Sequence, residues 1–149
     1  MNANFLSLNV RGASNFKKRK IIHTWAKSKN SDLIFLQETH STPKMENKWK
    51  NEWGGKVVFS HGKSNARGVC ILMKKGLDIE IKKQVTDSSG RFIILKSLLQ
   101  DEKITIVNVY APNNVSKAID FFKKLRLILK EEGVDSSSNL VIGGDFNCA

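Results

Sequence analysis

Leu140-Val141-Ile142-Gly143-Gly144-Asp145-Phe146-Asn147 runs three apolar residues into two glycines, then a carboxylate and an amide flanking one aromatic. The apolar triplet reads as a buried strand. Side chains alternate faces along extended chain, so Asp145 and Asn147 are expected to point one way and Phe146 back into the core. The glycines remove bulk where the strand ends, so that a ligand or another backbone can approach closely. A carboxylate and an amide on one face suit a site that holds a phosphate and a metal. Gly, Asp and Asn also make ordinary turns, and the stretch alone leaves both readings open.

The chain has 149 residues, 40% of them hydrophobic, which suits one globular domain with a sizeable core. No apolar run approaches the roughly 20 residues that cross a bilayer, and Met1-Asn2-Ala3-Asn4-Phe5 lacks the layout of a signal peptide. Cys70 and Cys148 form neither a metal spacing nor a disulfide framework, so an intracellular, reducing setting is expected. The net charge is +11, from 25 Lys and Arg against 14 Asp and Glu. That favours a polyanionic partner, nucleic acid ahead of an anionic membrane surface; a merely lysine-rich soluble surface has the same charge.

Upstream, the pattern predicts a strand over Phe5–Val10 and a helix capped by Ser14, with Ile21, Ile22 and Trp25 as its buried stripe. Lys17-Lys18-Arg19-Lys20 then forms a solvated face, or alternatively a nuclear-localisation run. Leu33-Ile34-Phe35-Leu36 reads as a strand covered on both faces, and Trp49 with Trp53 as the packed side of a short helix. Strands are expected at Val57–Phe59, Arg67–Met73 and Ile79–Val85, with a hairpin of Arg91–Lys96 and Ile104–Tyr110. A helix over Ile119–Leu129 carries Ile119, Phe122, Leu125, Ile128 and Leu129 as its stripe. Four of these strands end alike, apolar inside and polar at the C-terminal end: Asn9, Glu38, Tyr110, and Asp145 with Asn147. Sites commonly form outside the carboxyl ends of strands. Glu38 offers a hard oxygen for magnesium, Asn9 and Asn147 neutral donors to a phosphoryl oxygen, Tyr110 a phenol, and Asp145 a group to hold water or protonate a leaving group. No Ser or Cys nucleophile has a neighbouring base, which speaks against a covalent mechanism.

Leu8-Asn9-Val10-Arg11-Gly12, Gln37-Glu38-Thr39-His40, Arg67-Gly68-Val69, Asn108-Val109-Tyr110-Ala111-Pro112-Asn113 and Gly144-Asp145-Phe146-Asn147 stand in one order along the chain. In that order they resemble the endonuclease/exonuclease/phosphatase superfamily, most closely the apurinic-type endonuclease of non-LTR (LINE-type) retrotransposons. The resemblance implies a four-layered α/β sandwich, two packed mixed sheets with helices outside, and hydrolysis of phosphate esters with Mg2+ or Mn2+. It implies Glu38 as metal ligand with Asn9 beside it, Tyr110 and Asn147 on the scissile phosphate, and Asp145 activating water or assisting the leaving group. Arg11, His40, Arg67 and Asn113 fall in the same motifs as expected substrate contacts. Retroelement enzymes of this kind nick chromosomal DNA so that the exposed 3′-hydroxyl primes reverse transcription. The implied partners are therefore DNA and a linked reverse transcriptase, with a nuclear place of action and no membrane.

The family's domains run on past the Gly-Asp-Phe-Asn motif to a terminal Asp-His pair. The expectation is therefore that residues 1–149 are the N-terminal part of one such domain, impaired as a nuclease. The three histidines do not replace the family's own: His23 is expected at the surface or core edge, His40 at the substrate, and His61 in a solvated loop. A non-catalytic nucleic-acid-binding fragment and a retroelement relic are the alternatives to an active endonuclease.

Overall fold

A computed structural model describes residues 2–148. The elements are β1 (Phe5–Asn9), α1 (Phe16–Ser28), β2 (Leu33–Gln37), a 3-10 turn (Pro43–Met45) leading into α2 (Glu46–Trp53), β3 (Val57–Ser60), β4 (Val69–Met73), β5 (Ile79–Thr86), β6 (Phe92–Leu99), β7 (Glu102–Tyr110), α3 (Val115–Glu131) and β8 (Leu140–Asp145). They form two four-stranded mixed sheets, ordered β1-β2-β4-β3 and β5-β6-β7-β8. In each, one parallel pair (β1 with β2, β7 with β8) joins antiparallel neighbours.

The period of two in each strand divides the apolar residues into three stacked cores. Ile34, Leu36, Cys70 and Leu72 face α1 and α2, where they meet Ile22, Ala26, Trp49 and Trp53. Leu33, Phe35, Ile71 and Met73 face the other sheet and pack on Ile93, Leu95 and Ile106. Phe92, Ile94, Val107 and Val109 form the outer face under Leu125 and Leu129 of α3. The result is the expected α/β/β/α sandwich. Burial of a large apolar side chain contributes roughly 1.5–3 kcal/mol, and β2, buried at all five positions, is its centre.

Several local expectations are corrected. Asn15, not Ser14, caps α1, its side chain accepting from the Lys18 amide. The buried face of α1 is Arg19, Ile22, His23 and Ala26; Ile21 is 69% exposed and Trp25 half-buried. Arg19 leaves the solvated basic face because it has partners inside: its Nε and Nη2 donate to the two oxygens of Glu52, and Nη1 to the Ala13 and Ser14 carbonyls. His23 lies in the core, edge-on to Trp49 and Trp53. Ile119 on α3 is half exposed, because α3 sits over the two middle strands of its sheet and turns that position outward.

The last strand is also less buried than its letters imply. Among the described residues β8 pairs with β7 alone, and Leu140 and Ile142 are each 39% exposed. Phe146 does not return to the core: it is 37% exposed and stacks on Phe122 of α3 at 6.0 Å. The two glycines admit protein, not ligand. A Cβ on Gly143 would lie 2.6 Å from the Phe35 ring, and one on Gly144 would strike the Val109 carbonyl. Their absence of side chain lets β8 close against both β2 and β7.

Candidate active site

The inter-sheet core opens at the C-terminal ends of β1, β2, β7 and β8, and the polar residues there are ends of its inward rows. Ser7 and Asn9 continue the row of Phe5, Asn108 and Tyr110 that of Ile106, and Asp145 that of Val141 and Gly143. Glu38 follows the inward-facing Gln37, so continued alternation would turn it towards the helices. Instead its φ of +53° breaks the strand there. Its carboxylate comes to the other three: Asn9 Nδ2 donates to Glu38 Oε1 at 3.0 Å and to Asp145 Oδ2 at 2.8 Å, and the Tyr110 hydroxyl donates to Glu38 Oε1 at 2.8 Å. One amide thus bridges two carboxylates contributed by different sheets.

Beneath this cluster lies a buried amide network. Gln37 Nε2 donates to Ser7 Oγ, the Phe35 carbonyl and Asn108 Oδ1. Asn108, fully buried, returns its Nδ2 to the carbonyls of Leu36 and Cys70. It crosses from one sheet to the other and fixes the strand ends that carry Glu38 and Tyr110. The Tyr110 phenol is pushed up to about 12, first by burial, then by its hydrogen bond to Glu38 and that group's charge, against the pull of Arg91. Tyr110 is therefore a proton-bearing donor throughout the physiological range.

The rim is built on left-handed backbone. Arg11, Glu38, His40, Arg67 and Asn147 all have positive φ, a costly conformation that clusters at functional sites. Backbone bonds lace three of these turns together: Gly12 to Glu38, Ala13 to Thr39, Thr39 to Gly68 and His40 to Arg67. Gly12, φ +90°, has the His40 ring where its Cβ would stand, which sets His40 against the turn that follows β1.

Asn9, Glu38, Tyr110 and Asp145 are thus joined directly. Asn147 is adjacent but aimed elsewhere: its amide donates to the Ala111 carbonyl while its backbone N–H bonds Asp145 Oδ1. Arg11, His40 and Arg67 lie on the rim, Arg67 donating its Nε to the Ser89 carbonyl. Asn113 is exposed and lines a groove of about 880 Å³ between α3 and Phe146, on the far side of Asn147. Arg91 is a group that sequence reading passed over. Its guanidinium lies 5.3 Å from the Tyr110 ring centre and donates to the Tyr110 carbonyl, and burial, then the charge of Arg67, lowers its pKa. Its one signal in the sequence is position, a charged residue opening a buried strand. His61 is likewise not solvated: Nδ1 pairs with Ser41 Oγ at 3.1 Å, Nε2 with Glu46 Oε1 at 2.6 Å, and the ring stacks on Phe59.

Two carboxylates and an amide form a hard, oxygen-rich donor set of the kind magnesium takes while keeping several waters. Among the described residues no three His, Cys, Asp or Glu groups gather as a closed metal cage. Asn9 presents its nitrogen to the carboxylates, its oxygen accepting from the Arg11 amide.

Residues 6–149 match the Endonuclease/Exonuclease/phosphatase family, and the chain belongs to it. It is 32% identical over 141 residues to the Transposon TX1 uncharacterized 149 kDa protein of Xenopus laevis, covering 95% of this chain and 11% of that protein. In fold it is similar to an AP endonuclease from Archaeoglobus fulgidus (TM-score 0.71, 24% identity, 99% of this chain and 58% of that one). It is also similar to the mannosyl-6-phosphatase Bt3783 of Bacteroides thetaiotaomicron (TM-score 0.76, 13% identity, 98% and 66%). The chain thus spans about a tenth of the curated relative and about three-fifths to two-thirds of these solved structures. No helix among the described residues is long and apolar enough to cross a membrane.

Proposed function

We propose that this chain carries a metal-dependent phosphodiesterase site that nicks DNA, as part of a retroelement endonuclease working with a reverse transcriptase in the nucleus. The observation that carries the reading is the shared hydrogen bonding of Asn9, Glu38, Asp145 and Tyr110 at one opening of the inter-sheet core. The transposon relative supports the retroelement setting, and the net charge of +11 supports a nucleic-acid substrate.

Glu38 would hold a Mg2+ or Mn2+ ion, with Asp145 and Asn9 next to it. Such an ion supplies charge stabilisation at the phosphoryl oxygens. Tyr110, kept protonated, would donate to a phosphate oxygen. Asn9 holds Glu38 and Asp145 in register. Asp145 positions the attacking water or protonates the leaving oxygen. Asn147 donates to the scissile phosphate once its amide leaves the Ala111 carbonyl. Arg11, His40 and Arg67, with Arg91 behind them, bind the flanking phosphates, and Asn113 meets the strand beyond Asn147.

Nicking of supercoiled plasmid with Mg2+ or Mn2+ tests this. Glu38→Ala is expected to lower the rate by at least about 10²-fold, and Tyr110→Phe by about 10–10²-fold, on the scale of a lost transition-state donor. Undiminished nicking by Glu38→Ala sinks the assignment. A second reading, DNA binding without cutting, is favoured by one observation: among the described residues no histidine hydrogen-bonds Glu38, Asp145 or Tyr110. A mobility shift in the unaltered protein with no nicking selects it.

A further inference from the structure

Glu38 and His40 are both left-handed, with φ of +53° and +55°, and Thr39 stands between them. Two such residues within three cost of order 1–3 kcal/mol each and persist only where the surroundings over-determine them. The backbone bonds to Gly12, Ala13, Arg67 and Gly68 do part of this. The remainder is a side-chain chain that runs away from the cluster. Thr39 Oγ1 pairs with Ser41 Oγ at 2.9 Å and accepts from the Ser41 amide at 3.3 Å. Ser41 Oγ meets His61 Nδ1 at 3.1 Å, and His61 Nε2 meets Glu46 Oε1 at 2.6 Å. Thr39 and Ser41 are buried, and the His61 ring lies flat on Phe59 with centroids 4.9 Å apart. Every link has a partner on both sides, so the relay is fixed from the first turn of α2 to the turn that carries Glu38.

We infer that His61 is a positioning residue for Glu38, acting through Ser41 and Thr39 and anchored by Glu46. It touches neither Glu38 nor Tyr110. Its imidazole joins Ser41, in the turn after β2, to Glu46 at the start of α2, so its loss leaves Ser41 Oγ held in the relay by Thr39 alone and lets the strained turn relax. Glu38 then drifts from Asn9 and Tyr110. The inference rests on the proposed reading of Glu38 as a metal ligand only for its consequence at the metal; the positioning itself is measurable without one. Ser41 in this chain is a buried link, not a nucleophile.

Two measurements test it. The chain has a single tyrosine, so the Tyr110 13Cζ resonance reports the Tyr110–Glu38 hydrogen bond in the metal-free protein. His61→Ala and Ser41→Ala are expected to move that resonance alike, the double variant no further, and His61→Asn, which keeps a polar group facing Ser41, to return it most of the way. In parallel, Mn2+ affinity by titration is expected to fall about tenfold in His61→Ala, as for lost partners of a metal ligand, and to recover in His61→Asn. Ile94→Val, in the outer core under α3, controls for a general loss of stability and is expected to change neither. An unmoved Tyr110 resonance in folded His61→Ala, or an equal shift in Ile94→Val, overturns the inference. Absence of Mn2+ binding in the unaltered protein sinks the metal reading of Glu38 and leaves the resonance to decide the positioning.

Discussion

His23 shows how one residue ties stability to pH. Both ring nitrogens are buried without a hydrogen-bond partner among the described residues. Burial holds its pKa down to about 4, the charge of Glu52 opposing and those of Lys27 and Arg19 assisting. The folded value lies below the roughly 6.5 of an unfolded histidine. The contribution is therefore fully present above pH ~6.5 and is lost as pH falls from there towards 4. Asp87 follows the same sign in a lower window. Burial pushes its carboxyl up, but bonds from Ser89, the Phe92 and Arg91 amides, and Ser60 outweigh that and hold it below its ordinary value, so its loss comes under the usual carboxylate range. Urea midpoints at pH 7.5 and 5.0 separate the two. The unaltered protein is expected to lose stability between them, and His23→Leu, which removes the titrating ring, to hold nearly constant; parallel falls in both would show that His23 is not the cause. At this scale the sequence was half legible. Glu38 announces itself as a carboxylate where a buried strand emerges, but its left-handed φ, which turns it back to Asn9, leaves no mark in a residue type that seldom adopts it. His23 and Arg19 read as polar helix residues because only tertiary packing against Trp49, Trp53 and Glu52 gives them reason to be buried.

Among the elements, β2 and β7 carry the site because a single side chain fastens one to the other. Asn108 spends its amide on the Leu36 and Cys70 carbonyls and its oxygen on Gln37, each across the inter-sheet gap. Asn108→Leu fills similar volume but takes the side-chain donor from the Leu36 and Cys70 carbonyls, while Gln37 Nε2 keeps Ser7 Oγ and the Phe35 carbonyl. With buried groups left unsatisfied at about 1–3 kcal/mol apiece, part of it met by the strand ladders, a loss of about 2–4 kcal/mol is expected. Denaturant unfolding checks this, and a loss below about 1 kcal/mol would mean the sheets are held by Phe35, Ile71 and their neighbours alone. The strands themselves were readable from period two and their lengths, and β2 from its unbroken apolar run. Asn108 was readable only as the first residue of the Asn108–Asn113 motif, in the strand that ends at Tyr110. That Asn108 faces a dry interior, where an amide must find partners, depends on which sheet packs there. β8 differs in the opposite direction: Leu-Val-Ile reads as core, yet among the described residues Leu140 and Ile142 lie outside the cover of α3 and are partly exposed.

For the molecule as a whole, an excess of eleven positive charges matters by where it lies. Arg11, Arg67 and Arg91 stand around an opening whose own groups include two carboxylates, Glu38 and Asp145. A bare phosphate chain would be repelled by those two and drawn by the rim, so binding depends on the rim cations together with any metal at the carboxylates. The lysines of α3 are exposed instead on the solvent side of the helix whose Leu125 and Leu129 cover the outer face of the second sheet. If DNA lies across the opening, its affinity falls with added salt by a log–log slope of about −0.9 for each phosphate neutralised. Arg67→Ala and Arg11→Ala are each expected to reduce that slope by about 1, and Lys124→Ala on α3 to leave it nearly unchanged. Fluorescence anisotropy of a labelled duplex between 50 and 300 mM KCl, with and without Mg2+, gives the slopes. A flat salt dependence removes nucleic acid as the partner. A steep one that Lys124→Ala lowers as much as Arg67→Ala does would mean that DNA is gathered by charge spread over the whole surface, and that the opening at Asn9 and Glu38 is not where it docks.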